Sequence, residues 1–151
     1  MAINSLIKLK ESLERFDIRN ELRAIFENNA DAVVELQQQQ LAAGIDITGT
    51  ERVDEYRPFT IKQKREKGVG LGAVTDHVTF FMTGELYQSL QTKISGDEFM
   101  VESPLRTFDK MLERIGEDKY GLDEQSRERF AEQFVLPGLK NSLLQDTGLK
   151  L

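Results

Sequence analysis

Leu6, Leu9, Leu13 and Phe16 recur at three- and four-residue steps, with Lys8, Lys10, Glu11, Glu14 and Arg15 on the intervening positions. That period predicts a short amphipathic helix over residues 5–16. Asp17 is placed to cap a second, longer helix, because its carboxylate can accept from the first free amides. Leu22, Ile25, Phe26, Asn29, Val33 and Leu36 carry the same spacing onward, and Gly44 is the expected stop, glycine tolerating the left-handed cap conformation. The glutamines at 37–40 read as the polar end of this helix, glutamine being a good helix former.

Between residues 44 and 72 the period disappears, and Gly44, Gly49, Pro58, Gly68, Gly70 and Gly72 punctuate the chain. A structureless stretch of that length is unusual in a compact domain and commonly functional. Its residues 57–67 hold Arg57, Lys62, Lys64, Arg65 and Lys67 against Glu66 alone, so an exposed basic arm is expected at about 44–75. The pattern then changes. Val78, Phe80 and Met82 alternate with Thr79 and Phe81, predicting a strand over 78–82 that is buried on one face and contacted on the other.

Thr83-Gly84 breaks that strand, residues 85–89 suggest one helical turn, and residues 91–94 and 99–102 flank the turn sequence Ser95-Gly96-Asp97-Glu98. At least three antiparallel strands are expected. Ser103-Pro104 suits a helix start, Leu105, Phe108, Met111, Leu112 and Ile115 form its apolar stripe, and Gly116 ends it. Asp123 can cap a last helix with Phe130 and Phe134 turned inward, which Pro137-Gly138 should kink or divide. Leu139, Leu143 and Leu144 continue its apolar face towards a polar end. The pattern as a whole predicts a single α+β domain over residues 1–151. A long N-terminal helical segment leads to a small antiparallel sheet with a long irregular arm, and helices close the chain.

A chain of 151 residues can bury a sizeable core. Its longest apolar run, 78–82, is strand-sized, so no membrane span is expected, and the charged N-terminus lacks the pattern of a secretory leader. Assembly in the cytoplasm is the corresponding expectation. Without cysteine there are no disulfides and no thiolate metal ligands. A net charge of −6 makes the overall field unfavourable to nucleic acid, so any contact with DNA would be local.

Chemistry-bearing constellations are sparse. His77 is the one histidine, and no serine or threonine sits in a nucleophile motif beside it, so a strand-edge position without catalytic duty is expected. Gly68-Val69-Gly70-Leu71-Gly72 resembles a phosphate loop only superficially, since neither a preceding strand nor a lysine-serine pair accompanies it; flexibility is the expected reason for these glycines. Asp97-Glu98 falls at a turn tip. No catalytic, metal or cofactor residues are assigned. The basic arm has three readings: phosphate contact on DNA, docking on an acidic surface of another subunit, or a solvated loop.

Gly44, Asp46, Gly49, Tyr56, Pro58, Thr60 and Lys64, followed by a glycine-rich gap and then by Thr83-Gly84-Glu85-Leu86 with Ser89, resemble a family of phage virion-morphogenesis proteins. Members of that family complete tails or join heads to tails. Met82 stands where the family pattern usually has leucine, and Tyr56 where tryptophan often sits. The likeness covers the middle third, and the C-terminal sequence departs from it. It implies a non-enzymatic virion component: a homo-oligomeric ring that contacts portal, connector or tail-tube proteins. The interface expected from this reading comprises Arg57, Lys62, Lys64, Arg65 and Lys67 of the arm, with Val78, Phe80, Thr83 and Gly84 of the strand and its end.

Overall fold

In the computed structural model, which describes residues 2–148, the chain is α+β and mostly helical. It divides into two compact units, residues 1–29 with 129–151 and residues 30–128.

The first unit is helical. Helix α1 (Ala2–Arg15) ends before Asp17, whose carboxylate accepts from the amides of Arg19 and Asn20 at 3.1 and 3.2 Å and so caps α2 (Ile18–Asn28). The predicted long second helix is interrupted at Asn29, whose side-chain amide donates to the Ile25 carbonyl at 2.8 Å; α3 (Ala30–Ala42) begins immediately after it. Leu6 and Leu13 of the predicted α1 stripe are 64% and 50% exposed, so that stripe is only partly covered. Towards the other end of the chain, α7 (Glu124–Phe130) starts in the second unit from Asp123, whose carboxylate accepts from the Ser126 amide at 2.9 Å, and its last two residues belong to the first unit. A π-helical turn over Ala131–Val135 then leads into α8 (Leu136–Thr147). The predicted division near Pro137 takes the form of a widened turn just ahead of the proline: the backbone stays helical through Phe130, Val135 and Leu136, and the π turn accommodates the missing proline amide within one continuous helical run. Phe26 stacks on Phe130 at 5.0 Å, and Ile25 lies so close to Gly138 that any Cβ there would clash. Residues 149–151 of the expected polar end lie outside the described residues.

The second unit is built on α3, against which the hairpin packs. Strands β1 (Gln91–Ser95) and β2 (Glu98–Glu102) pair antiparallel with Ser95 opposite Glu98, leaving Gly96-Asp97 as a two-residue turn. Around them lie α4 (Pro58–Lys67), α5 (Glu85–Ser89) and α6 (Arg106–Ile115). Val33, Leu36, Leu41, Val78, Leu86, Tyr87, Leu90, Val101, Phe108 and Met111 form the core. Helix α6 begins later than predicted: the Ser103 hydroxyl accepts from the Leu105 amide at 3.1 Å, holding a turn before the helix.

Three expectations are corrected here. The predicted 44–75 arm is folded rather than free. Residues 44–52 make a tight hydrogen-bonded loop, closed by Arg52 N donating to Gly44 O at 2.7 Å, and residues 58–67 form α4. The predicted 78–82 strand does not exist, because Phe80 has φ of 57°, which turns the chain out of the extended path. The glutamine run is not a solvated helix end. Gln37 and Gln40 are buried, Gln38 donates to the Tyr87 carbonyl at 2.8 Å, and Gln40 donates to Gly121 O at 2.7 Å while accepting from Asp123 N at 2.8 Å.

Candidate functional site

Residues 78–81 are buried or half-buried and have no strand beside them, so their peptide groups require partners from elsewhere. Side chains supply them. The Arg52 guanidinium donates to the Val78 carbonyl, the Thr79 amide donates to the Tyr56 hydroxyl at 2.9 Å, and the Tyr87 hydroxyl donates to the Thr79 carbonyl at 2.6 Å. The Thr79 hydroxyl accepts from the Phe81 amide at 3.2 Å and lies 3.1 Å from the Tyr56 hydroxyl. Lys64 donates to the Phe81 carbonyl at 2.6 Å and to the Gly72 carbonyl at 3.0 Å. Burial raises the Tyr87 phenol above its usual range, consistent with a hydroxyl that stays a donor.

Lys64 is thus removed from the predicted set of exposed cations. It is 1% exposed, and its ammonium also lies 4.8 Å from the centre of the Tyr56 ring. Pro58 opens α4, which sets the helix turn that carries Lys64 inward. The glycine-rich gap serves this contact rather than flexibility. A Cβ on Gly68 would fall 2.3 Å from the Gly72 carbonyl oxygen, the same oxygen that accepts from Lys64. Gly84, left-handed at φ 87°, starts α5 against the Phe81 ring, and a Cβ there would sit 3.0 Å from that ring.

Phe80 is clamped by charge. The guanidinium groups of Arg52 and Arg114 lie 5.0 and 5.9 Å from its ring centre, and Asp54 bridges them at 3.3 and 3.4 Å. The Arg52 side chain is 6% exposed, that of Asp54 20% and that of Arg114 37%, so the triad runs from the interior to the surface, with Arg114 also donating to the Glu55 carbonyl. The carboxylate meets both cations as charge contacts without well-aligned hydrogen bonds.

The predicted interface residues consequently separate. Arg57, Phe80, Thr83 and Gly84 line one groove of about 460 Å³, together with Thr60, Met82, Lys110 and Arg114. Lys62 and Arg65 line a second, shallower surface on α4 with Pro58 and Ile61, and Lys67 is exposed at the end of that helix. Val78 is a core residue, 1% exposed, and like Lys64 is corrected from interface to interior. Phe59 on α4 at 70% exposure and Val69 just after the helix at 86% were not among the predicted interface residues, since neither shares a periodic apolar stripe.

His77 is held by Ala42 O, which accepts from Nε2 at 2.6 Å, with Asp76 Oδ1 2.9 Å from Nδ1. Gly44 packs on its ring, so the histidine joins the end of α3 to the approach to residues 78–81. Among the described residues no group of three or more histidine, aspartate or glutamate side chains is arranged to hold a metal ion. No described helix is long and apolar enough to cross a membrane. Comparison with known protein families, curated proteins and solved structures finds no match to this chain.

Proposed function

We propose that the chain is a structural component of a tailed-phage virion, acting without catalysis to complete the tail or join head to tail as a homo-oligomeric ring. It would be assembled in the host cytoplasm and make its contacts with copies of itself and with portal, connector or tail-tube proteins. The phage assignment rests on the resemblance carried by Tyr56, Pro58, Lys64 and the Thr83-Gly84-Glu85-Leu86 box. The assembly role is supported above all by α4: its inner side is fixed by buried Lys64, while Phe59, Lys62, Arg65 and Lys67 are left on its exposed side. A rigid helix that exposes a large aromatic among cations suits a protein contact, in which an aromatic anchor is desolvated inside a charged rim. Negative-stain electron microscopy of the purified chain tests the reading. Annular particles of one diameter are expected, and their absence at every protein concentration refutes it.

A DNA-contacting module is the second reading, favoured by the same exposed cations. Phosphate contact would show as duplex binding that weakens steeply with salt. Burial of Lys64 and the carboxylate of Glu66, 4.0 Å from Lys62, reduce the positive charge that phosphate contact needs, whereas exposed Phe59 gives a protein contact an apolar anchor that phosphate contact does not use.

A further inference from the structure

The second unit carries an acidic counterpart to the α4 face. A groove of about 910 Å³ runs along β2 and α6, and no residue of α4 lines it. Asp97, Glu98, Glu102, Asp109 and Glu117 line it against Arg127. Glu102 pairs with Lys93 at 3.2 Å, and Asp97, Glu98, Asp109 and Glu117 are exposed residues, which leaves the groove margin acidic overall. Apolar residues line it as well, including Met100, which is 56% exposed and lies across the hairpin from Lys93. The α4 face has the opposite net character, with Lys62, Arg65 and Lys67 around Phe59 and Glu66 as the one carboxylate among them, 4.0 Å from Lys62. Each surface thus combines apolar residues with charged ones, and the net charges differ in sign.

Resting on the ring reading above, we propose that these two surfaces meet between copies: the α4 face of one subunit seats in the β2–α6 groove of the next. Two different surfaces joined in this way give a head-to-tail contact, which closes into a ring when the rotation between neighbours permits. Phe59 packs on the apolar residues of the groove, and the opposed charges select the partner and speed its capture. The acidic margin also disfavours a nucleic acid in the same groove.

Two charge-reversed variants test this by sedimentation equilibrium at low ionic strength. One carries Lys62→Glu, Arg65→Glu and Lys67→Glu; the other carries Asp97→Lys, Glu98→Lys and Asp109→Lys. All six positions are exposed, and circular dichroism checks that both variants fold. Each variant alone is expected to self-associate at least about tenfold more weakly than the wild type, with the gap narrowing as salt rises. An equimolar mixture should recover association, because the reversed α4 of one then faces the reversed groove of the other. Unchanged association of either variant overturns the pairing, as does a mixture that fails to recover. If α4 reversal abolishes duplex binding and leaves association intact, the face belongs to DNA and the pairing is likewise overturned. A wild-type chain that oligomerises while the pairing fails leaves the ring reading standing. A wild type that remains monomeric throughout removes both.

Discussion

Lys64→Ala removes the side chain that ties α4 to residues 72 and 81. Loss of the buried stem beyond Cβ costs about 2.4 kcal/mol at roughly 0.8 kcal/mol per methylene. The carbonyls of Gly72 and Phe81 lose a charged donor, at about 1–3 kcal/mol for a buried group left unsatisfied. Relief from holding an ammonium out of water offsets several kcal/mol of this. A net loss of about 3 kcal/mol is expected, large for a single substitution because packing and polar pairing fail together. Lys64→Met keeps most of the stem and removes the charge, and should cost about 1 kcal/mol. All three tyrosines, Tyr56, Tyr87 and Tyr120, fall within residues 30–128, and the chain has no tryptophan. Tyrosine fluorescence during urea unfolding therefore reports the second unit. With an m-value of about 1.5 kcal/mol per molar, Lys64→Ala should lower the midpoint by about 2 M. Hydrogen exchange should show residues 58–67 losing protection before the remainder of that unit. A shift below about 0.5 kcal/mol, or unchanged protection of α4, refutes the view that Lys64 anchors the helix.

Other substitutions probe the same framework. Asp54→Asn leaves the guanidinium groups of Arg52 and Arg114, both beside Phe80, without their shared counter-charge; it should cost about 3 kcal/mol, the low end for a broken buried pair because Arg114 is partly solvated, and urea unfolding measures it. Phe80→Gly should be more stable than Phe80→Ala by about 1 kcal/mol, since both lose the ring but only glycine occupies φ 57° without penalty; equal melting temperatures contradict that. The Thr48 hydroxyl, followed by the amides of Thr48 and Thr50, holds the Asp46 carboxyl below its ordinary value of 3.8, against an opposing contribution from burial. The group binds fewer protons in the folded state than unfolded across that range. Its stabilisation is complete above the ordinary value and fades as pH falls through the lowered one. Asp46→Asn should consequently flatten the acid limb of a stability–pH profile, and an unaltered limb would exclude the effect.

Apart from α4 and the break at Asn29, the helices were legible because their signals are local. Asp17, Gly116 and Asp123 act at the ends where sequence placed them, and Ser95-Gly96-Asp97-Glu98 turns the hairpin as expected. Residues 78–82 misled because alternation reports which side chains are buried, and burial here comes without a neighbouring strand. Arg52, Tyr56, Lys64 and Tyr87 take the place of that strand, and no local rule links them to a backbone 8 to 26 residues away. The basic arm misled for a related reason: a row of cations shows charge but not which member turns inward. Only the helix begun at Pro58 carries Lys64 beneath while leaving Lys62 and Arg65 outside. Likewise Gln40 looked like a polar helix end until its partners at Gly121 and Asp123 were in place. The residues carrying the family resemblance are thus largely those that hold the irregular backbone together, while the surface offered for assembly lies one helical face away.

Native mass spectrometry of the purified wild-type chain, over a range of protein concentration and ionic strength, tests most directly the claim that this framework exists to present an assembly surface. A discrete closed oligomer, dissociating as salt screens the α4 contacts, is the predicted result. A chain that remains monomeric at every concentration and salt condition would contradict it.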